Sequence, residues 1–96
     1  MLQTSLPLMS IRGTELLPVI QGGMGIGISA HSLAGAVAKE GAVGTIASVE
    51  LRRLHPDLME QTAKCRNRAK IDEANLEALE REINLARNIC GNDGFL

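Results

Sequence analysis

The chain has 96 residues, a formal net charge of −1, 45% hydrophobic residues and 22% charged residues. This length fits one small domain, and the hydrophobic content excludes an intrinsically disordered chain. The near-neutral charge argues against binding to nucleic acid or to a membrane surface through bulk charge.

The cysteines and the N-terminus predict a cytoplasmic protein. Cys65 and Cys90 match neither a disulfide framework nor a zinc pattern, so we expect free thiols, with a single bridge or a redox pair as the alternative. The first residues, MLQTSLPLMSIRG, lack the basic region and the long apolar core of a signal peptide. The sequence also has no apolar run approaching the roughly 20 residues that a membrane span needs.

The first half of the chain predicts a strand, a loop, a helix and a second strand. Residues 1–17 are expected to be irregular, and residues 16–21 (LLPVIQ) to form a buried strand. A loop rich in glycine follows, and then a helix that Ser29 would cap and Gly41 would end. Residues 42–49 (AVGTIASV) are uncharged and rich in β-branched side chains, which is typical of a strand covered on both faces. The order predicts a βαβ unit.

The second half predicts helices. His55-Pro56-Asp57 indicates a helix start with proline in the first turn. Residues 71–91 form the clearest helical pattern, which Asp72 would cap and Gly91 would end. Its expected apolar face consists of Leu76, Leu79, Ile83, Ala86 and either Ile89 or Cys90.

Phe95-Leu96 would begin a third strand. Two strands and the start of a third are too few to cover the apolar faces of the long helix and of the second strand. We therefore expect a truncated part of a larger α/β protein, and the sequence leaves its oligomeric state open.

The glycine loop has three interpretations. Gly22, Gly23, Gly25 and Gly27 follow the first strand within six positions. Residues 25–30 fit the dinucleotide fingerprint G-x-G-x-x-A, with Glu50 placed as the ribose-binding acid. Alternatively, the glycines only let the helix fold back onto the sheet. In the third interpretation, bare main-chain amides approach the edge of a flavin ring and stabilise negative charge on it.

Residues 17–49, LPVIQGGMGIGISAHSLAGAVAKEGAVGTIASV, resemble the opening of the nitronate monooxygenase family, formerly called 2-nitropropane dioxygenases. The resemblance covers about residues 11–96, and the segment QGGM between strand and helix carries it. It implies a flavoprotein with FMN and a TIM (β/α)₈ barrel. Residues 1–96 would then be the N-terminal βα units of one FMN-binding domain, ending at the start of the third strand.

The resemblance also implies the site residues. Gly23, Met24 and Gly25 would place backbone against the flavin, while Gln21 and Gly22 would shape the strand end beneath it. The Met24 thioether would touch the ring, with a place in the core as the alternative. In this family the FMN phosphate site and the catalytic histidine lie in the later strands, so we expect no catalytic residue in this chain.

The implied function is that of an oxidoreductase that converts a small-molecule substrate. Such enzymes oxidise alkyl nitronates with O₂ to a carbonyl compound and nitrite. We expect the 96-residue chain alone neither to bind FMN tightly nor to turn over. A flavin-dependent enoyl-acyl-carrier-protein reductase, an NAD(P)H:flavin oxidoreductase and a small non-enzymatic binding module are the alternatives.

The remaining polar residues suggest structural roles. His31 and His55 lie at helix starts, and together with the two cysteines they lack the spacing of a zinc site, so no metal is expected. Ser48 and Glu50 would lie either on the ligand-facing rim or in a solvated loop. The basic residues are expected to form a solvated surface: Arg52, Arg53, Lys64, Arg66, Arg68 and Lys70.

Overall fold

The computed structural model describes residues 3–96 and has a mixed α/β architecture. Strands β1 (Met9–Ile11) and β2 (Thr14–Leu16) pair in an antiparallel hairpin. Three α-helices follow, with a 3₁₀ helix at Leu51–Leu54 before the second: α1 (His31–Lys39), α2 (Pro56–Thr62) and α3 (Arg68–Cys90). In this part of the chain, no helix combines the length and the apolar character needed to cross a bilayer.

The hairpin corrects the expectation that residues 1–17 are irregular. Arg12 and Gly13 form its two-residue turn with φ angles of 52° and 80°. Positive φ at both central positions is the type I′ geometry, which matches the twist of the flanking strands. Residues 1 and 2 of the expected irregular segment lie outside the described residues.

Three segments of the chain lie side by side in parallel. Single bridges join Ile20 to Val43 and Val43 to Phe95. The Val43 amide donates to the Val19 carbonyl at 3.0 Å, and the Gln21 amide donates to the Val43 carbonyl at 3.0 Å. The segments predicted as strands are therefore adjacent and parallel, with helices between them along the chain. Each is reduced to an isolated bridge, and the eight-stranded barrel stays a prediction.

Helix α1 lies directly on the second of these segments. A Cβ atom at Gly44 would collide with the Ala34 carbonyl oxygen, so the helix backbone touches the segment at this position. The helix ends as predicted, with Gly41 just beyond it at φ 87°. Its N-cap is Ala30 rather than Ser29, because the Ser29 hydroxyl is bound to the preceding loop.

The boundaries of α2 and α3 are partly as predicted. Pro56 occupies the first turn of α2 with His55 as N-cap, and α3 ends at Gly91 with φ 75°. The expected cap at Asp72 is wrong, because α3 begins four residues earlier. The Asn67 side chain accepts a hydrogen bond from the Ala69 amide at 3.0 Å and caps the helix there.

The buried side of α3 differs from the predicted apolar face. Leu76 is 67% exposed, and Ile83 and Ile89 are also exposed. The buried side is instead a stripe of three alanines and one acid, which we call the small-residue stripe: Ala74, Ala78, Glu82 and Ala86. Small side chains let helices approach closely. At the α1–α3 contact, a Cβ atom on Gly35 would lie 2.9 Å from the Ile89 Cβ.

The hydrophobic core joins the 3₁₀ helix, α2 and the first half of α3. Its fully buried members are Leu51, Leu58, Ala74 and Ala78, and Ile46 and Leu79 pack against them. One exposed ion pair adds to the α2–α3 contact: Arg81 donates two hydrogen bonds to the two carboxylate oxygens of Asp57, at 2.9 and 2.8 Å. The hydrogen bond from Arg81 lowers the pKa of Asp57 to about 2.

Glu82 connects all three helices although it is 1% exposed. Its Oε1 accepts hydrogen bonds from the backbone amide of His31 at 3.0 Å and from His31 Nδ1 at 2.8 Å. Its Oε2 lies 3.1 Å from His55 Nε2. Because His31 begins α1 and His55 caps α2, one carboxylate of α3 fixes the starts of the other two helices.

The pKa of Glu82 is set by opposing effects. Burial raises it, but hydrogen bonds from the side chain and backbone of His31, and the charges of His31 and His55, together lower it below its ordinary value of 4.5. A carboxyl group whose pKa is lower in the folded than in the unfolded state stabilises the fold above the unfolded-state pKa. That contribution is lost as the pH falls through the folded-state value.

We predict that Glu82→Ala lowers the free energy of unfolding by about 3 kcal/mol at pH 7, because it removes the shared acceptor of three partly buried donors of His31 and His55. The difference between wild type and variant should shrink as the pH is lowered from 5 towards 2. Urea denaturation at a series of pH values measures both effects. The control is Glu80→Ala, which removes an exposed acid of the same helix. Equal losses in the two variants would contradict the prediction.

Candidate functional site

The glycine loop, residues 22–28, leaves the end of the first parallel segment and leads to α1. Gly22, Gly23, Met24 and Gly25 are all exposed, and Gln21 before them is half-buried. The loop closes on itself where the Ser29 amide donates to the Met24 carbonyl at 2.9 Å. The five residues that the resemblance assigns to the cofactor thus form one continuous, accessible stretch of chain.

The Gln21 side chain takes the place of a backbone group. Its Nε2 donates to the Thr45 carbonyl at 3.1 Å, and its Oε1 accepts from the Thr45 amide at 3.3 Å. These two bonds continue the parallel pairing one step beyond Val43. Gln21 therefore fixes the end of the first segment, from which the glycine loop departs.

Ser29 holds the loop in place from within. Its side chain is fully buried, and its Oγ accepts from the Met24 amide at 2.8 Å and from Gln21 Nε2 at 3.1 Å. The same hydroxyl donates to the Gly22 carbonyl at 3.2 Å. The Ser29 carbonyl accepts from the Ala47 amide at 2.9 Å, which ties the loop to the second segment.

The four glycines serve two different purposes. Gly27 has φ 79°, and a Cβ atom there would lie 2.7 Å from Leu54 Cδ2. A Cβ atom at Gly25 would collide with the Val49 side chain. The loop's own packing therefore requires these two glycines.

Gly22 and Gly23 have no such requirement. A Cβ atom at Gly22 would have no neighbour within 4 Å, and one at Gly23 would meet Thr45 Cγ2 at an ordinary 3.6 Å. Neither residue has positive φ. Within residues 3–96, the amides of Gly22, Gly23 and Gly25 donate to no acceptor. Bare, unpaired and exposed amides are suited to binding a ligand edge.

The other loop residues are apolar and exposed. Met24 is 49% exposed. Ile26 and Ile28, which alternate with the glycines along the loop, are also exposed. The alternative that Met24 belongs to the core is therefore wrong. The loop presents backbone amides beside apolar side chains, a combination that suits a flat, largely apolar ring with polar edges.

A dinucleotide would meet a negative charge at the start of α1. In that interpretation the pyrophosphate binds the amides of the helix N-terminus. Here the Glu82 carboxylate already accepts the His31 amide, which is the first of α1. Glu50 bonds to Arg52 Nη2 at 2.9 Å and to Asn75 Nδ2 at 3.3 Å. These contacts argue against the dinucleotide interpretation.

Several polar residues have structural partners. Arg52 is 7% exposed, and its Nη1 donates to Thr62 Oγ1 at 2.9 Å, so its assignment to a solvated surface is wrong. Ser48 is exposed. Cys65 and Cys90 are free thiols. Within residues 3–96, no group of His, Cys, Asp and Glu side chains is arranged to hold a metal ion.

Sequence reasoning missed two residues that shape the loop. Ser29 is predicted from the sequence as a helix cap, and the sequence analysis gives Glu82 no role. The spacing of Ala74, Ala78 and Ala86 could have indicated a buried stripe, since Glu82 fills the gap in that four-residue period.

We predict that Ser29→Ala lowers the free energy of unfolding by about 2 kcal/mol, because it leaves the Met24 amide, the Gly22 carbonyl and the Gln21 amide short of partners. Urea denaturation measures the loss. Ser32→Ala is the control, since Ser32 is exposed on α1 and its replacement should change stability by less than about 0.5 kcal/mol. An equally small effect at Ser29 would show that the hydroxyl does not hold the loop.

Comparison with known proteins gives no relative for this chain: no family model, no curated protein and no solved structure matches it.

Proposed function

We propose that the chain forms part of the flavin site of an FMN-dependent oxidoreductase similar to the nitronate monooxygenases. The observation that carries this proposal is the pair Gly22 and Gly23. Their amides are exposed and unpaired within the described residues, and nothing in the fold requires glycine at either position. A ligand that lies against the main chain accounts for the missing side chains.

The arrangement of the parallel segments supports the same proposal. Ile20, Val43 and Phe95 are neighbours in the order in which the chain reaches them. Consecutive parallel neighbours joined by helices are the repeating unit of a (β/α)₈ barrel, and barrel enzymes bind ligands in the loops after the strands. The glycine loop follows the first segment and so occupies that position.

The residues of the loop fit an isoalloxazine ring. Gly22, Gly23 and Gly25 offer amide donors for the polar ring edge, and the Met24 side chain offers an apolar, polarisable surface. Gln21 and Ser29 hold these groups in fixed positions before any ligand binds, which reduces the entropy lost on binding. When bound, FMN would supply the redox chemistry that takes electrons from a nitronate and passes them to O₂.

The role of this chain in that reaction is to bind and to orient. Amides directed at the ring edge stabilise negative charge there, which favours reduction of the cofactor. The apolar side chains of Met24 and Ile26 would exclude water from one side of the ring. The FMN phosphate and the proton acceptor would be held by other parts of a longer, cytoplasmic protein, so the tests below use that full-length polypeptide.

The activity test compares two reactions of the full-length protein. Release of nitrite from an alkyl nitronate under air supports the proposal. Oxidation of NAD(P)H with an enoyl thioester, without nitrite release, would assign the protein to the reductases instead. A full-length protein without bound or bindable flavin would overturn both and favour a non-enzymatic binding module.

We predict that Gly22→Ala weakens FMN binding by about tenfold or more, because its methyl group, which would meet no protein atom within 4 Å, would separate the ring from the amides. Its free energy of unfolding should stay within about 0.5 kcal/mol of wild type. Flavin fluorescence quenching and urea denaturation measure the two quantities.

Gly27→Ala is the matched control in the same loop. It should lose about 1–2 kcal/mol of stability because Gly27 has positive φ. If Gly22→Ala binds FMN as wild type does, the loop does not contact the ring.

A further inference from the structure

Glu82 lies in the middle of α3, yet its contacts lead directly to the glycine loop. One of its oxygens accepts both the backbone amide and the Nδ1 of His31, at 3.0 and 2.8 Å. His31 comes two residues after Ser29, and Ala30 between them is buried. The position of Ser29 therefore depends on where Glu82 holds the start of α1.

Within residues 3–96, no other side chain caps the N-terminus of helix α1. Its N-cap is Ala30, whose side chain cannot accept a hydrogen bond, and its first turn contains no acidic residue. A carboxylate from another helix takes over this function. His55 fixes the second carboxylate oxygen at 3.1 Å and thereby the orientation of the whole group.

Ser29 transmits this position to the groups proposed to contact the flavin. Its hydroxyl bonds to the Met24 amide at 2.8 Å and to the Gly22 carbonyl at 3.2 Å. These two bonds hold the residues before and after Gly23. A shift of Ser29 would therefore turn the Gly23 amide relative to a bound ring.

We propose that Glu82 is a positioning residue for the glycine loop: through His31 and Ser29, its carboxylate sets the orientation of the Gly22–Met24 backbone that would hold the flavin edge. The inference rests on the proposed function for the identity of the ligand, but the coupling between α3 and the loop is testable without ligand. Glu82 makes no hydrogen bond to the loop residues 22–28, so its effect on the loop passes through the residues that it bonds, among which His31 leads directly to Ser29.

The test measures amide hydrogen exchange of the full-length, flavin-free protein in wild type, E82Q and Ala74→Gly. E82Q keeps the size of the side chain but loses its charge and one acceptor oxygen. Ala74→Gly weakens the same stripe of α3 two turns away, and exchange is compared at denaturant concentrations where the two variants have equal global stability. We expect the Met24 amide to exchange about tenfold faster in E82Q than in Ala74→Gly.

The second measurement is FMN affinity, which we expect to fall about tenfold in E82Q and to stay near wild type in Ala74→Gly. Equal Met24 exchange in the two variants would overturn the positioning role, even if wild type binds FMN. Failure of wild type to bind FMN would instead overturn the proposed function and the flavin part of this inference. If E82Q does not fold, His31→Ala decides: it keeps the carboxylate, removes the bond from Nδ1, and should speed Met24 exchange in the same direction.

Discussion

A buried carboxylate shared by two helix starts is the constraint on which the rest of this structure depends. Glu82 would be costly to bury alone, since a charge without partners is strongly disfavoured in a protein interior. Here it accepts from one amide, lies against two imidazoles and lies at the positive N-terminal end of α1. The arrangement converts a charge that would destabilise the core into the group that orients three helices.

The glycine loop uses a related principle on a smaller scale. Side chains take over hydrogen bonds that a regular strand would make with its backbone: Gln21 pairs with Thr45, and Ser29 pairs with Gly22 and Met24. Because two buried or half-buried polar side chains satisfy the backbone from inside, the outer side of the loop is left with unpaired amides. A loop can be rigid and still offer free donors only if its internal bonds are made in this way.

The features that were predictable from the sequence are those decided within a few residues. Pro56, Gly41 and Gly91 mark helix ends through their own backbone preferences, and they lie where the pattern placed them. The parallel neighbours Ile20, Val43 and Phe95 also follow from short apolar runs separated by helices.

The features that were not predictable depend on contacts between distant segments. A helical pattern predicts that the large apolar residues of α3 are buried. In the structure α1 packs closely on α3, so the small-residue stripe is buried and Leu76 is exposed. Arg52 has partners nearby in Glu50 and Met59, but it also bonds to Thr62, ten residues away, and the partner of Glu82 at the start of α1 lies 51 residues away. The candidate site was visible as a run of glycines, but only the folded structure separates the glycines that packing needs from those that it does not need.

The bidentate contact of Gln21 with Thr45 makes position 21 unusually selective. The Thr45 amide donates to Gln21 Oε1 at 3.3 Å, and the Thr45 carbonyl accepts from Gln21 Nε2 at 3.1 Å. Glutamate has the same shape but would set an ionised oxygen against a carbonyl, asparagine is one carbon too short, and lysine has nothing with which to accept. A primary amide at this reach carries both functions, so the identity of one side chain helps to decide where the paired segments end and the loop begins.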